Sequence, residues 1–467
     1  MAPPSPRIRR ISLICLLAAL GVLYAIGWFS PAIGLEYREG ANLLQAVTGH
    51  VETNPPLFPW LLGLFALVSR QPQWLKLLPL LCAAGWLALT WRLLAKMGAS
   101  RACCWMMIAI AAASPAVEHL ATGLYPEMLF GLLAIGSLIA LLDERPILSG
   151  VAAGLATVTM TSGAVLIVAC LLTLVTYRRL RAAVMFLVPA MLFASPWLGW
   201  WMAHSGMPNT NLDLSEWSVL LWKNAIWLAA APFTAMSGYA NNYPGLLTAV
   251  ALLIVLIRRR QFVPDLFFGL YCVALVCRPE PPLYAFAPVL PLFLWMLWRV
   301  VRRGRFALIS QVTAIGLIAS ALWFGLGQAL RPAGWPDYQK LFAVIRANTP
   351  QNAVLMTDLD PLYYLNTGRT SIRGFTPDGY RTWYAPPRPL VTPDELYATI
   401  PARRVDFVVM APDREVPESV SYNNSIDALE RGDFVEPVEL PGLPAGYRLL
   451  RVVKRPRLPR SGAGTSH

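Results

Sequence analysis

The chain has 467 residues, of which 56% are hydrophobic and only 14% charged, with a mean hydropathy of +0.50. A soluble domain carries nearly twice that charged fraction, so an ordinary soluble fold is excluded. The net charge of +13 does not point to nucleic acid, because the basic residues cluster at the ends of apolar runs, as positive-inside topology requires.

The first apolar run, Ile11–Phe29, follows Arg7, Arg9 and Arg10 and has no clear small-residue cleavage site. It reads as an uncleaved first span. The next stretch, Gly34 to Pro59, carries Glu36, Glu39 and Glu52 with Arg38 and His50, then closes on Asn-Pro-Pro-Leu-Phe-Pro. Ionisable groups where a membrane helix emerges are costly unless wetted or used, so this loop marks a site at the membrane surface. Pro55–Ser69 opens on two prolines and is too short to cross, which predicts an interfacial or re-entrant piece.

Further apolar runs follow near Leu75–Leu94, Cys103–Ala113, Tyr125–Leu142, Val151–Leu174, Ala183–Met202, Gly245–Ile257, Phe262–Cys277, Leu283–Trp298 and Ala307–Leu326. Val151–Leu174 runs on uncharged to Tyr177 and holds Gly154, Thr161, Ser162 and Gly163. It reads as two short spans with a tight turn, giving eleven spans. With the N-terminus inside, the cytoplasmic set is Arg7, Arg9, Arg10, Arg92, Lys96, Arg101, Arg145, Arg178, Arg179, Arg181, Arg258, Arg259, Arg260, Arg299, Arg302, Arg303 and Arg305. Those seventeen basic groups face only Asp143, Glu144 and Asp265. The opposite side holds five basic groups, Arg38, Arg70, Lys76, Lys223 and Arg278. Its eight acids are Glu36, Glu39, Glu52, Glu118, Glu127, Asp213, Glu216 and Glu280. This asymmetry sets the orientation.

After Leu326 the character changes. From residue 331 onward there are 17 basic and 15 acidic groups and no run long enough to span. Helices are predicted at Tyr338–Asn348, Pro361–Leu365 (ended by Thr367-Gly368) and Ser425–Arg431. Strands are predicted at Ala353–Thr357, Val405–Met410 and Arg448–Val453. The alternation predicts a small α/β domain outside the membrane. The expected organisation is a transmembrane domain at 1–330 with its first outer loop at 31–74, an extracytoplasmic domain at 331–456, and a disordered tail at 457–467 rich in Pro, Arg, Gly and Ser. All seven cysteines lie in apolar runs, so no disulfide framework staples the outer domain.

Carboxylates beside the outer face carry the strongest chemical signal. Glu36 and Glu39 follow the first span. Glu127 follows Pro126 at a helix start, where negative charge is favoured; dipole complement and simple solvation are the plainer explanations for it. His50, His119 and His204 all fall on the outer side and could bind a divalent metal. No two share a ligand spacing such as HxxxH, and a lone loop histidine is more often a polar filler. Arg278 closes a span in VCRPEPPLYAFAPVLP. Its planar fork suits a lipid phosphate, with snorkelling to ordinary headgroups as the alternative. There is no GxxxxGK[ST] loop, GxGxxG, GxSxG or HExxH.

The order of several segments resembles the GT-C membrane glycosyltransferases, in the branch of the protein O-mannosyltransferases and lipid A aminoarabinose transferases. They are the acidic first loop, NPPLFPWLLGLF at 54–65, WRLLAKMGASR at 91–101 and SPAVEHLATGLYPEMLF at 114–130. GLATVTMTSGAVLI at 154–167, FAPVLPLFLWML at 286–297 and TPQNAVLMTDLDPLYYLNTGR at 349–369 continue the likeness, which covers most of residues 10–370. There are departures. The family often has Asp-Glu or Asp in the first loop, where this chain has Leu35-Glu36 and Arg38-Glu39. Met160-Thr161 replaces a polar residue or Arg after Gly-Leu-Ala. The Arg-Tyr before the Pro-containing span appears as Leu283-Tyr284, with Arg278 the nearest arginine.

The resemblance implies an α-helical polytopic GT-C-like membrane protein of the bacterial inner membrane, N-terminus inside and C-terminal domain outside. It would move a sugar from a polyprenyl-phosphate donor to a protein, lipid or glycan acceptor on the outer face, with inversion. Glu36, Glu39 and Glu127 would be catalytic, and Arg278 and Arg38 would hold the donor phosphate. No cofactor is firmly implied; a divalent metal near His50 and His119 stays open. The partners are the donor, membrane lipid and an unspecified acceptor, with no nucleic acid. A transporter or flippase and a non-catalytic envelope-assembly scaffold are the competing classes. A transporter calls for ionisable groups at mid-bilayer, whereas here they lie near span ends.

Overall fold

The structure is a computed structural model that describes residues 6–30, 37–49, 55–204, 214–237, 262–278, 284–301, 316, 318–320, 322–323, 335–357, 359–373, 391–412 and 417–453. Two compact units emerge: Met1–Ile33 with Gln45–Arg331, and Gly34–Leu44 with Pro332–His467.

The first unit is helical. It contains α1 (Pro6–Phe29), the end of α2 (Tyr37–Thr48), α3 (Leu57–Val68), α4 (Pro72–Lys96), α5 (Arg101–Ala113), α6 (Pro115–Thr122) and α7 (Glu127–Leu142). It continues with α8 (Pro146–Thr159), α9 (Ala164–Thr176), α10 (Leu180–His204), α11 (Leu214–Ser237), α12 (Phe262–Val276) and α13 (Leu290–Val301). Among the described residues, α4, α10 and α11 are long and apolar enough to cross a membrane. A fourth candidate is α5 with α6, bent by 63°. Large apolar side chains point outward: Leu67 is 83% exposed and Leu192 69%. In water such a surface would aggregate; in lipid it is the ordinary exterior.

Close packing inside the unit follows from small residues. Gly150 and Gly154, four apart on α8, bring that helix onto the backbone of α10. A methyl at Gly154 would lie 2.6 Å from the Ala190 oxygen, and one at Gly150 would overlap the Phe186 oxygen. This is small-xxx-small contact, which replaces the hydrophobic drive that lipid removes. The long run at 151–174 is broken where expected: Met160 is extended, and a 3-10 turn at Thr161–Gly163 leads into α9. The Pro-containing span also begins with a 3-10 segment, Tyr284–Val289. Trp86 Nε1 donates to the Pro288 oxygen (3.3 Å) and the Tyr271 hydroxyl to the Ala285 oxygen (2.8 Å), satisfying carbonyls that irregular backbone leaves exposed. At one end of α7, Asp143 accepts from Arg92 (3.1 Å) and Lys96 of α4, and Glu144 accepts from Arg179 (2.9 Å).

Two expectations need adjustment. Residues 203–244 read as a connecting loop, yet they hold α11, whose Lys223 and Asn224 mask an otherwise apolar stretch. Pro55–Ser69, read as too short to cross, holds the 12-residue α3, with exposed Trp60, Leu64 and Val68, about 18 Å long and short of a bilayer core. Lys76, counted as a loop charge, lies inside α4 and is 3% exposed. The expected span Gly245–Ile257 and the Arg258–Arg260 cluster lie outside the described residues, as does most of Ala307–Leu326.

The second unit is α/β. It has α14 (Trp335–Asn348), β1 (Val354–Thr357), α15 (Asp360–Thr367), β2 (Thr370–Arg373), α16 (Pro393–Ala402), β3 (Phe407–Met410), α17 (Pro417–Arg431), β4 (Val435–Pro437) and β5 (Arg448–Val452). The sheet order is β2-β1-β3-β5-β4. The pairs β1–β2 and β1–β3 are parallel; β3–β5 and β4–β5 are antiparallel. Met356, Val408 and Leu450 of the sheet and Tyr422, Ile426 and Leu429 of α17 form its core. Helix α15 ends at Gly368, in the left-handed region at φ 71°. The tail at 457–467 lies outside the described residues.

Candidate active site

In the first unit, one group of residues converges where α7 begins. Glu127 is the first residue of α7, behind Pro126, and is fully buried. Solvation therefore does not account for it. One turn on, the Phe130 ring stacks on Tyr271 of α12, with centroids 5.7 Å apart. The charges of Arg278 and Glu127 both act on the Tyr271 hydroxyl. Two residues named from the sequence, Glu127 and Arg278, thus both carry charge within electrostatic range of Tyr271. Arg278 follows the end of α12, and the side chain of buried Asn224 on α11 donates to the oxygens of Val276 (2.9 Å) and Arg278.

A second polar group in the same unit lies along α6. Thr122 donates to the Glu118 carboxylate at 3.2 Å. That carboxylate lies against α1 so closely that a methyl at Gly27 would overlap it. Lys76 Nζ donates to the oxygens of Gly27 (3.0 Å) and Ser30 (2.8 Å), the last turn of α1. A cation at a helix C-terminus meets unpaired carbonyls and the negative end of the dipole. The Lys76 ammonium also lies within electrostatic range of Glu118. His119 is packed between two rings, Tyr125 at 5.0 Å and Tyr284 at 5.1 Å.

The first-loop candidates are placed unevenly. Glu39 lies in the first turn of α2 and is 6% exposed; Asn42, one turn on, is also buried. Arg38 precedes it, half-buried. Both belong to the portion of α2 in the second unit. Glu36, Glu52 and His50 lie outside the described residues, as does the side chain of His204. Among the described residues there is no group of three or more His, Cys, Asp or Glu arranged to hold a metal ion.

Sequence reasoning passed over Lys76, Tyr271 and Asn224 as site residues. A lysine two residues into an apolar run and an asparagine amid Trp, Leu and Ala are the signals that were available. A buried polar side chain is affordable only with a partner.

Two solved structures share this fold end to end. ArnT from Cupriavidus metallidurans bound to undecaprenyl phosphate is 12% identical, with a TM-score of 0.56, covering 94% of this chain and 97% of that one. The apo form of the same protein is 13% identical, with a TM-score of 0.51, covering 95% of this chain and 98% of that one. No protein-family model and no curated protein sequence matches the chain. The fold is like that of ArnT: mostly helical, with apolar helices and a small C-terminal sheet.

Proposed function

We propose that the protein is a glycosyltransferase of the bacterial inner membrane. It transfers a sugar from a polyprenyl-phosphate donor to an acceptor on the outer face. The observation that carries this is a fold shared over nearly the whole chain with ArnT, a protein solved with undecaprenyl phosphate bound. The fully buried Glu127 at the head of α7 supports it.

A first-loop carboxylate, Glu36 or Glu39, takes the acceptor hydroxyl proton while that oxygen bonds to the anomeric carbon. The bond from that carbon to the phosphate oxygen breaks from the opposite side, so the configuration inverts. Polyprenyl phosphate leaves with the electron pair, and Arg278 and Arg38 hold its charge. Glu127 orients the acceptor or holds a cation. A divalent metal near His50 and His119 completes this reading; loss of transfer on chelation, with return on Mg²⁺ or Zn²⁺, would support it.

The proposed topology keeps Arg178–Arg181 and Arg258–Arg260 both inside. An even number of crossings then separates them. Helix α10 supplies one, so only one of α11 and the 245–257 run crosses. A reporter fused at Asn241 separates the two cases, and a reporter at Ser461 tests the outer position of the C-terminal unit. Activity is tested in vesicles with radiolabelled polyprenyl-phosphate sugars. Transfer or hydrolysis of the donor is the expected result; a purified, folded protein inert toward every such donor would overturn the reading.

A further inference from the structure

We propose that Asn224 is a positioning residue for the Arg278 guanidinium. This rests on the reading of Arg278 as a ligand of the donor phosphate.

The chain ahead of Arg278 cannot finish its helix in the usual way. Arg278 is followed by Pro279, Pro281 and Pro282. The partner of the Arg278 carbonyl in a continued helix would be the N–H of residue 282, and proline has none. The last turn tightens instead: Cys277 N donates to the Val273 oxygen at 3.1 Å, and Arg278 N to the Leu275 oxygen at 3.3 Å. That leaves the final carbonyls of α12 to be satisfied from outside the helix. Asn224 supplies the donors. Its Nδ2 reaches the oxygens of both Val276 and Arg278 from α11, a helix more than fifty residues earlier in the chain.

Asn224 is fully buried. A primary amide taken out of water inside an apolar helix is costly unless its hydrogen bonds are made. Here it pins the backbone on both sides of Cys277, fixing the point from which the Arg278 side chain departs. The guanidinium charge in turn acts on Tyr271, two turns back on α12, where Glu127 also acts. A fixed backbone at this point limits the directions open to the Arg278 side chain. A freely departing arginine would snorkel.

Asn224→Asp keeps the shape but turns an oxygen toward each of two carbonyl oxygens. Asn224→Ser keeps a shorter donor and carries the test if the Asp variant does not fold. Two readouts in the purified full-length protein decide the matter. The first is the KM for polyprenyl-phosphate sugar: a rise of roughly tenfold in Asn224→Asp, less in Asn224→Ser, with kcat far less affected. The Asn224 change should add nothing in an Arg278→Ala background. The second is labelling of Arg278 by phenylglyoxal, followed by mass spectrometry, which reports the guanidinium's surroundings without turnover. An altered Arg278 labelling rate in the Asn224 variants supports the proposal. Unchanged labelling, or KM effects that add in full to those of Arg278→Ala, would overturn it. If labelling changes while Arg278→Ala leaves donor KM untouched, the positioning stands and the phosphate reading of Arg278 falls.

Discussion

The two units bury opposite things. The helical unit keeps Lys76, Glu127 and Asn224 inside and turns leucines, valines and tryptophans outward. The α/β unit keeps Met356, Val408, Tyr422 and Ile426 inside and leaves ion pairs such as Arg451–Glu436 exposed. The difference teaches that burial follows the solvent. In lipid an apolar side chain gains little by turning inward, so packing and internal hydrogen bonds hold the helices. In water, removal of apolar area dominates. The polar interior of the first unit is thus part of its cohesion.

The largest expected effect is on catalysis. A fall in transfer of about 10²- to 10⁴-fold, the range for a lost proton-transfer group, is expected for whichever of Glu36→Gln and Glu39→Gln removes the base. Glu127→Gln removes the charge and keeps the shape, and should also lower transfer strongly through loss of an orienting or cation-holding group. Wild-type transfer rates in both first-loop variants would refute the role given to that loop.

Next comes Lys76→Met. It keeps length and apolar bulk but strips the last turn of α1 of its donor and leaves Glu118 without that charge. Hydrogen bonds from a charged donor are worth about 1.5–3 kcal/mol each and two are lost, so the detergent-solubilised protein should melt well below wild type. A melting point within a degree or so would mean that the inward polar groups do not hold the helical unit together.

A smaller effect is expected in the second unit. The Arg369 guanidinium donates to the oxygens of Arg346 (2.8 Å) and Thr349 (2.9 Å), within and just beyond the end of α14, and to that of Thr367 (2.7 Å) at the end of α15. Arg369→Ala should cost about 1–3 kcal/mol, seen as faster hydrogen exchange in α14 and α15. Unaltered exchange there would show that water replaces the guanidinium freely.

The smallest is Arg451→Ala, which removes the exposed pair with Glu436 and should change stability by less than about 1 kcal/mol. A larger loss would erase the contrast between the units, since surface charge would then count for as much as buried charge.

Much of the second unit was legible because its code is local. Gly368 stops α15 where a left-handed residue is needed, and VDFVVM is too apolar for anything but an inner strand. What escaped were β2, β4 and α16. The strands β2 and β4 are the short edges of the sheet, with little apolar periodicity. The start of α16 was signalled by Thr392-Pro-Asp-Glu395, a capping box in which Thr392 accepts from Glu395 N at 3.3 Å and Glu395 accepts from Thr392 N at 3.0 Å.

The candidate site was half legible. Glu127 stood out because a carboxylate after proline at the head of an apolar run needs a reason. Arg278 stood out at the edge of the bilayer for the same cause. Lys76 looked like one more boundary charge, and its burial depends on where the end of α1 lies.

By itself the sequence determined the class of this protein and most of its helices, since hydropathy, charge asymmetry and proline placement act over a few turns of chain. Only the tertiary structure decided which polar residues face inward and meet. Asn224 with the end of α12 and Lys76 with the end of α1 join residues from 46 to 54 positions apart. No local period encodes such pairs; the packing of helices in lipid creates them.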